Sequence, residues 1–200
     1  MAYATAAELR TYSGIDSTAH DALLTLLIAR AAATIDRYVG FSFEAATTTT
    51  RRFDSADLRN GGNVSGRALW LDGWLYSVTS ITNGNGVAVA AASYYTEPRN
   101  AAPYYALTLK RSTSLVWEAD SNDDTPNAIS IVGRWAYSLT APADITHATL
   151  RMALWYYRQR DSSTDMDRPM LAEGVTIMPS QLPKDVLDIL DAYRWRGGRP

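Results

Sequence analysis

The stretch Ala33-Thr34-Ile35-Asp36-Arg37-Tyr38-Val39-Gly40, followed by Phe41-Ser42-Phe43-Glu44-Ala45-Ala46-Thr47-Thr48-Thr49-Thr50, holds the junction that decides the fold. To its left, apolar residues recur at helical spacing. To its right, a β-branched threonine run opens a long segment of strand character. Gly40 fits the left-handed cap that ends such a helix.

Leftward, the pattern predicts a helix over about 18–39. Leu23, Leu26, Leu27, Ala31, Ile35 and Tyr38 form one apolar row, and Leu24, Ile28, Ala32 and Val39 a second. A helix apolar on two faces must be covered on two faces. The second cover is either the chain's own bundle or another copy of the chain. Further left, Thr5 and Glu8 have the spacing of a capping box, predicting a short helix over 6–12 that ends at Gly14.

Rightward, residues 47–140 read as short strands and turns. Trp70, Leu71, Trp74, Leu75, Val78 and Ile81 supply strand-forming residues, and Tyr76–Thr82 alternates polar with apolar. Asn83-Gly84-Asn85-Gly86 is a hairpin signal, because Asn and Gly tolerate positive φ. Val87–Val89 and Tyr94–Thr96 are then the expected returning strands. Tyr105–Lys110 alternates again, Glu118–Asn127 is polar and turn-rich, and Ala128–Val132 leads through Gly133 to Trp135 and Tyr137.

Helical periodicity returns at Pro142, which suits a first turn, and Asp144 complements the helix dipole. Ile145, Ala148, Thr149, Met152, Trp155 and Tyr156 form one stripe. Leu150, Leu154 and Tyr157 form another. Residues 161–182 are expected to be a long connection of the kind that is functional or mobile. Pro183 opens a last helix with Val186, Leu187, Leu190 and Tyr193 inward, closed by Gly197-Gly198. The fold class expected is α+β: a small bundle of three to four helices carrying a large inserted antiparallel β-module. The expected domains are residues 1–46 with 141–200, and residues 47–140.

Composition excludes several function classes. The 200 residues contain 21 acids, 19 bases and no cysteine. The balance holds within 51–140 and within 141–200, with eight of each sign in both. No strong global field favours nucleic acid or a membrane surface. Disulfide scaffolds, thiolate metal sites and thiol catalysis are ruled out. No apolar run reaches the roughly 18 residues of a membrane span. The opening residues show no secretory pattern, so synthesis in the cytoplasm is expected. Arginine outnumbers lysine 17 to 2, which suits interfaces or reflects genomic base composition.

No constellation reads as a catalytic or cofactor site. His20 and His147 each lack a second histidine at i+4. Asp120, Asn122 and Asp124 open like a calcium loop, but Thr125 and Ile131 stand where glycine and the closing acid belong, so a solvated loop is the better reading. Asp161, Asp165 and Asp167 form a second acidic cluster. A glycosidase would need two such carboxylates in a sugar-lined cleft, and Trp70 and Trp74 read better as sheet-face or core residues. Nucleophile-elbow and phosphate-loop patterns are absent. Tyr193-Arg194-Trp195-Arg196 differs from these, because Arg and Trp are the residues that anchor interfaces and the glycines beyond them make a pliable arm.

Several of these stretches together resemble the head–tail connector, or adaptor, proteins of long-tailed bacteriophages and gene transfer agents. They are Thr5–Tyr12, Ala33–Gly40, Leu69–Leu71 with Leu75–Gly84, Pro142–Ala148 with Trp155–Arg160, and Leu187–Arg194. The chain departs from minimal, mostly helical members in its β insert and its 161–182 segment. The resemblance implies a homo-oligomeric, dodecameric ring under the portal protein, in the virion neck. Such a ring extends the DNA channel, lets DNA pass without sequence-specific binding, and docks a stopper or tail-completion protein. It implies no cofactor, metal or membrane. It also implies a C-terminal segment that reaches the portal, here Arg194, Trp195, Arg196 and Arg199. On this reading Leu24, Ile28, Leu150, Leu154 and Tyr157 are the expected subunit interface. Asn83, Gly84, Asn85 and Gly86 are the expected tail or neighbour contact. The alternatives are a β-sandwich binding module for sugar or protein with helices as oligomerising support, a hydrolase, and another neck component such as a stopper.

Overall fold

A computed structural model describes residues 2–161, 170–172, 175–177 and 182–194. The chain is α+β and divides into two compact units. One is built from the described residues of Met1–Gly40 and Ala141–Gly197, the other from Phe41–Thr140.

In the helical unit, α1 (Ala6–Ser13) starts at a complete capping box. The Glu8 amide donates to Thr5 Oγ1 at 3.2 Å, and the Thr5 amide donates to Glu8 Oε2 at 2.7 Å. These contacts satisfy amides that a helix start leaves unpaired. Gly14, at φ 70°, ends the helix. A single 3-10 turn, Thr18–His20, leads into α2 (Asp21–Val39), which stops at Gly40 with φ 89°. The Ile145 and Thr146 amides donate to Pro142 O as α3 (Ala143–Asp161) begins. α4 (Lys184–Tyr193) ends before Arg194, which is extended at ψ 121°. The expected stop at Gly197-Gly198 lies outside the described residues. α2 packs against α1, α3 and α4. The core of the unit is Leu9, Leu24, Ile28, Ala31, Ala32, Ile35, Val39, Ile145, Ala148, Met152, Ala153, Val186 and Leu190.

The β unit contains two antiparallel sheets. The first has order β1-β7-β4, with β1 Thr49–Phe53, β4 Ser77–Thr82 and β7 Ile129–Arg134. The second has order β2-β3-β6-β5, with β2 Val64–Ser65, β3 Ala68–Leu75, β5 Tyr94–Glu97 and β6 Tyr104–Leu109. One apolar cluster draws on both sheets: Phe53, Leu69, Leu71, Leu75, Ile81, Leu107, Leu109, Ile129 and Ile131, with Trp117 and Trp135 from the connections. Gly133 is dictated by close approach, since a Cβ there would sit 2.4 Å from Ser77 O.

The expected hairpin after Asn83 is only partly realised. The turn forms, but Val87–Val89 contributes a single bridge, Thr82 to Ala88, instead of a strand. Tyr94–Glu97 pairs with β6 and not with β4. The 161–182 segment includes a two-stranded ribbon, β8 (Met170–Ala172) against β9 (Val175–Ile177). No helix among the described residues is long and apolar enough to cross a membrane.

Candidate assembly surfaces

The expected interface rows of the helical unit are largely internal. Leu24 is 0% and Ile28 1% exposed, and Leu150 and Leu154 are also buried. The chain's own bundle covers them, so they leave little surface for a neighbour. Tyr157 is half-buried beside the His20 ring, with centroids 6.2 Å apart. The apolar surface left over on α2 comes from the N-terminal half of the other row, whose Ala31 and Ile35 are buried, and from alanines outside both rows. Leu26 is 65% exposed, Leu23 and Leu27 are half-buried, and Ala22, Ala29 and Ala33 are exposed. Both rows have helical periodicity. Period alone does not say which residues of each the remaining helices cover.

At the C-terminal end, Arg194 is exposed, and its guanidinium carbon lies 5.7 Å from the Tyr38 ring centroid. The Tyr38 hydroxyl donates to Asp191 Oδ1 at 2.7 Å. That hydrogen bond to a carboxylate raises the Tyr38 pKa, with Arg194 acting in the opposite direction. The first residue of the expected portal-binding arm is therefore seated on Tyr38. Trp195, Arg196 and Arg199 lie outside the described residues.

The Asn83–Gly86 turn divides in two. Asn83 is 2% exposed; its Nδ2 donates to Val116 O at 2.8 Å and its Oδ1 accepts from the Glu118 amide at 3.1 Å. A Cβ on Gly84 would sit 2.1 Å from Glu118 O. Asn83 thus holds the 116–118 segment in place, and half-buried Gly84 packs closely against it. Asn85 and Gly86 remain exposed, as do Val87 and Val116. The sequence signal for the turn was sound, but it carried no sign that another segment would cover its first half.

The remaining candidates resolve into structural roles. Asp120 Oδ1 accepts from the Asn122 and Asp124 amides at 2.8 and 3.0 Å. Those amides, Asp124 first, hold its carboxyl below the usual aspartate range. Trp70 stacks on Tyr105, with centroids 5.7 Å apart and planes 10° apart, and Trp74 meets Phe41 and Tyr137 edge-on. Among the described residues no group of three metal-ligating side chains converges. His147 meets Tyr12 edge-on at 5.7 Å. Asp165 and Asp167 lie outside the described residues, as does the side chain of Asp161.

Two residues escaped the sequence reading. Arg67 donates to the carbonyls of Leu109, Lys110, Thr113 and Leu115, and its own carbonyl accepts from Trp117 Nε1. It thereby ties the 110–117 connection to the second sheet. Tyr95, on the edge strand β5, carries two cations on its ring, the Arg99 guanidinium carbon at 4.4 Å and Lys110 Nζ at 4.7 Å from the centroid. Arg67 and its partners lie 42 to 50 residues apart, and Lys110 lies well beyond Tyr95, so neither arrangement has a local signal in full.

Residues 3–61 match the family model described as Phage gp6-like head-tail connector protein. The match covers α1, α2 and the start of the β unit. No curated protein matches the chain. Two solved structures share its fold over nearly its whole length. One is described as "Neck of empty GTA particle computed with C6 symmetry"; it has TM-score 0.54 and 16% identity, and the match covers 98% of this chain and 92% of that one. The other is described as "Virion of native gene transfer agent (GTA) particle"; it has TM-score 0.55 and 18% identity, over the same shares of the two chains.

Proposed function

We propose that this chain is a structural head–tail connector of a phage-like particle, acting in the neck of the virion. Copies form a ring under the portal, extend the DNA channel and dock the stopper or tail. The observation that carries this reading is a coincidence of two independent likenesses. The N-terminal helices match a connector family, and the whole chain, β insert included, has the fold of chains found in gene transfer agent neck and virion particles. The role needs no catalytic residue, and the site chemistry is consistent with a non-enzymatic protein. A dodecameric ring agrees with the six-fold symmetry applied to the related neck. The helical unit is the scaffold of the ring, and the β unit is the elaboration that distinguishes this version.

The arm beginning at Arg194 is the portal-facing element in this reading, with Trp195, Arg196 and Arg199 as its anchors. Exposed α2 surface around Leu26 replaces Leu24 and Ile28 as the lateral contact of the bundle. Asn85 and Gly86 remain as tail- or neighbour-facing positions. Electron microscopy of the particle whose genome encodes this chain tests the role directly. Density for rotationally repeated copies between portal and tail is expected. Finding the chain elsewhere in the particle, or not in it, would overturn the reading.

A further inference from the structure

Beside the ion pairs Arg51–Asp72 and Arg99–Glu97, the β unit groups other charges by sign. Tyr95 is 41% exposed and holds Arg99 and Lys110 against its ring, and Arg111 follows, exposed. The acid closest to this group is Glu97, 3.4 Å from Arg99 Nε. Among the described residues, no ion pair engages Lys110 or Arg111. On the same unit, Glu118, Asp120, Asp123 and Asp124 supply four carboxylates, and no base occurs between Arg111 and Arg134. Glu118 accepts from Asn85 Nδ2 and Asp120 from backbone amides, so neither meets a cation. One copy therefore carries a concentrated basic face and a concentrated acidic loop, each repelling itself.

We infer that these two poles meet between copies: the Arg99–Lys110–Arg111 face of one β unit receives the Glu118–Asp124 loop of its neighbour. The inference rests on the ring reading above. A rotationally repeated, head-to-tail contact joins two different surfaces of the same chain, so it needs complementary patches and not a self-complementary one. Charge complementarity supplies register and penalises wrong partners. The Tyr95 ring holds its cations in place beforehand, which lowers the ordering cost of contact. Nucleic acid would suit the basic face but would leave the acidic loop without a role, so a second copy accounts for more of the surface.

The test uses the full chain with charge changes at half-buried Lys110 and at exposed Arg111, Asp123 and Asp124. The variants are Lys110→Glu with Arg111→Glu, Asp123→Asn with Asp124→Lys, and all four changes together. Asp123 becomes Asn because its φ is 66°, a conformation that Asn tolerates. Circular dichroism and melting should match wild type. Copies per particle, counted against portal protein, should fall about tenfold in each two-residue variant, since each lost exposed pair contributes a factor of a few. The four-residue variant should incorporate better than the Lys110/Arg111 variant, because the loop that meets the new carboxylates falls from four negative charges to a net one. Two-residue variants that incorporate like wild type would overturn the inference, as would a four-residue variant no better than the Lys110/Arg111 variant. Loss of DNA retention in the Lys110/Arg111 variant, with the acidic-loop variant incorporating normally, would overturn it in favour of nucleic acid. Wild-type protein absent from particle necks would instead defeat the connector reading itself.

Discussion

The two units satisfy their polar groups in different ways. In the helical unit, acids find partners within the chain: Asp21 with Arg10, Asp185 with Arg151, Asp191 with the Tyr38 hydroxyl and Asp144 with the Tyr193 hydroxyl. Most of its apolar rows are likewise spent on its own core, the surface around Leu26 excepted. The β unit closes one core between two sheets and has ion pairs of its own, Arg51 with Asp72 and Arg99 with Glu97, but among the described residues Lys110, Arg111 and the carboxylates of Glu118–Asp124 enter none. The contrast separates a part whose acids are mostly met within one copy from a part that groups charges no ion pair of its own engages. The match to the connector family model begins in the helices and ends early in the β unit, while the grouped charges specific to this chain lie in the insert.

The largest effect expected on this contrast comes from the helical core. Leu24→Asp places a carboxylate where exposure is 0%. A core truncation alone costs about 3–5 kcal/mol, and an unpaired buried charge adds to that. The chain should lose cooperative helical unfolding in circular dichroism melts, whether or not it meets other copies. A well-folded Leu24→Asp chain that merely failed to enter particles would return Leu24 to the subunit interface and undo the distinction between the units.

Next in size is Asn83→Ala in the β unit. The change strands the Val116 carbonyl and the Glu118 amide, both bonded to one buried side chain. A cost of about 2–4 kcal/mol in urea unfolding is expected. A cost near zero would mean that the turn is a surface feature after all, open to a partner as its sequence suggested. Smaller again is Thr5→Ala, which removes half of a reciprocal cap and should cost about 1 kcal/mol. No change in the melting temperature would mean that α1 is fixed by Leu9 packing and not by its cap.

How much was legible follows from where each signal resides. Caps, helix spans and the split between helical and β character are local, and Thr5, Glu8, Gly14, Gly40 and Pro142 announce them within a few residues. The direction of each helix was not local. Leu24 and Leu26 are both apolar and both periodic, and only the packing of α1, α3 and α4 on α2 makes one core and the other surface. Strand partners were equally hidden. Tyr94–Glu97 follows β4 in sequence but pairs with β6, a choice made by the shared core. The cations on Tyr95 and the carbonyls on Arg67 depend on contacts that spacing does not encode.

The smallest effect asks whether the two units differ even in how they hold a single carboxylate. Asp185 and Asp120 both have pKa values lowered from the ordinary aspartate range. Each folded-state value lies below the unfolded one. Each therefore contributes stability that is present at neutral pH and lost as pH falls through the folded value, on the acid side of the ordinary range. The causes differ. Asp185 is held mainly by the Arg151 guanidinium, whose Nε lies 2.8 Å from Oδ2 across an exposed pair. Asp120 is held by the Asp124 and Asn122 amides, with no cation involved. Salt screens an exposed ion pair but leaves backbone hydrogen bonds in a tight loop largely intact. Carboxyl titrations followed by NMR at low and high salt should show the Asp185 midpoint rising toward its ordinary value while that of Asp120 holds. Midpoints that moved together would mean that the acidic loop already draws on a cation within its own copy, and would remove the asymmetry on which the contact between copies depends.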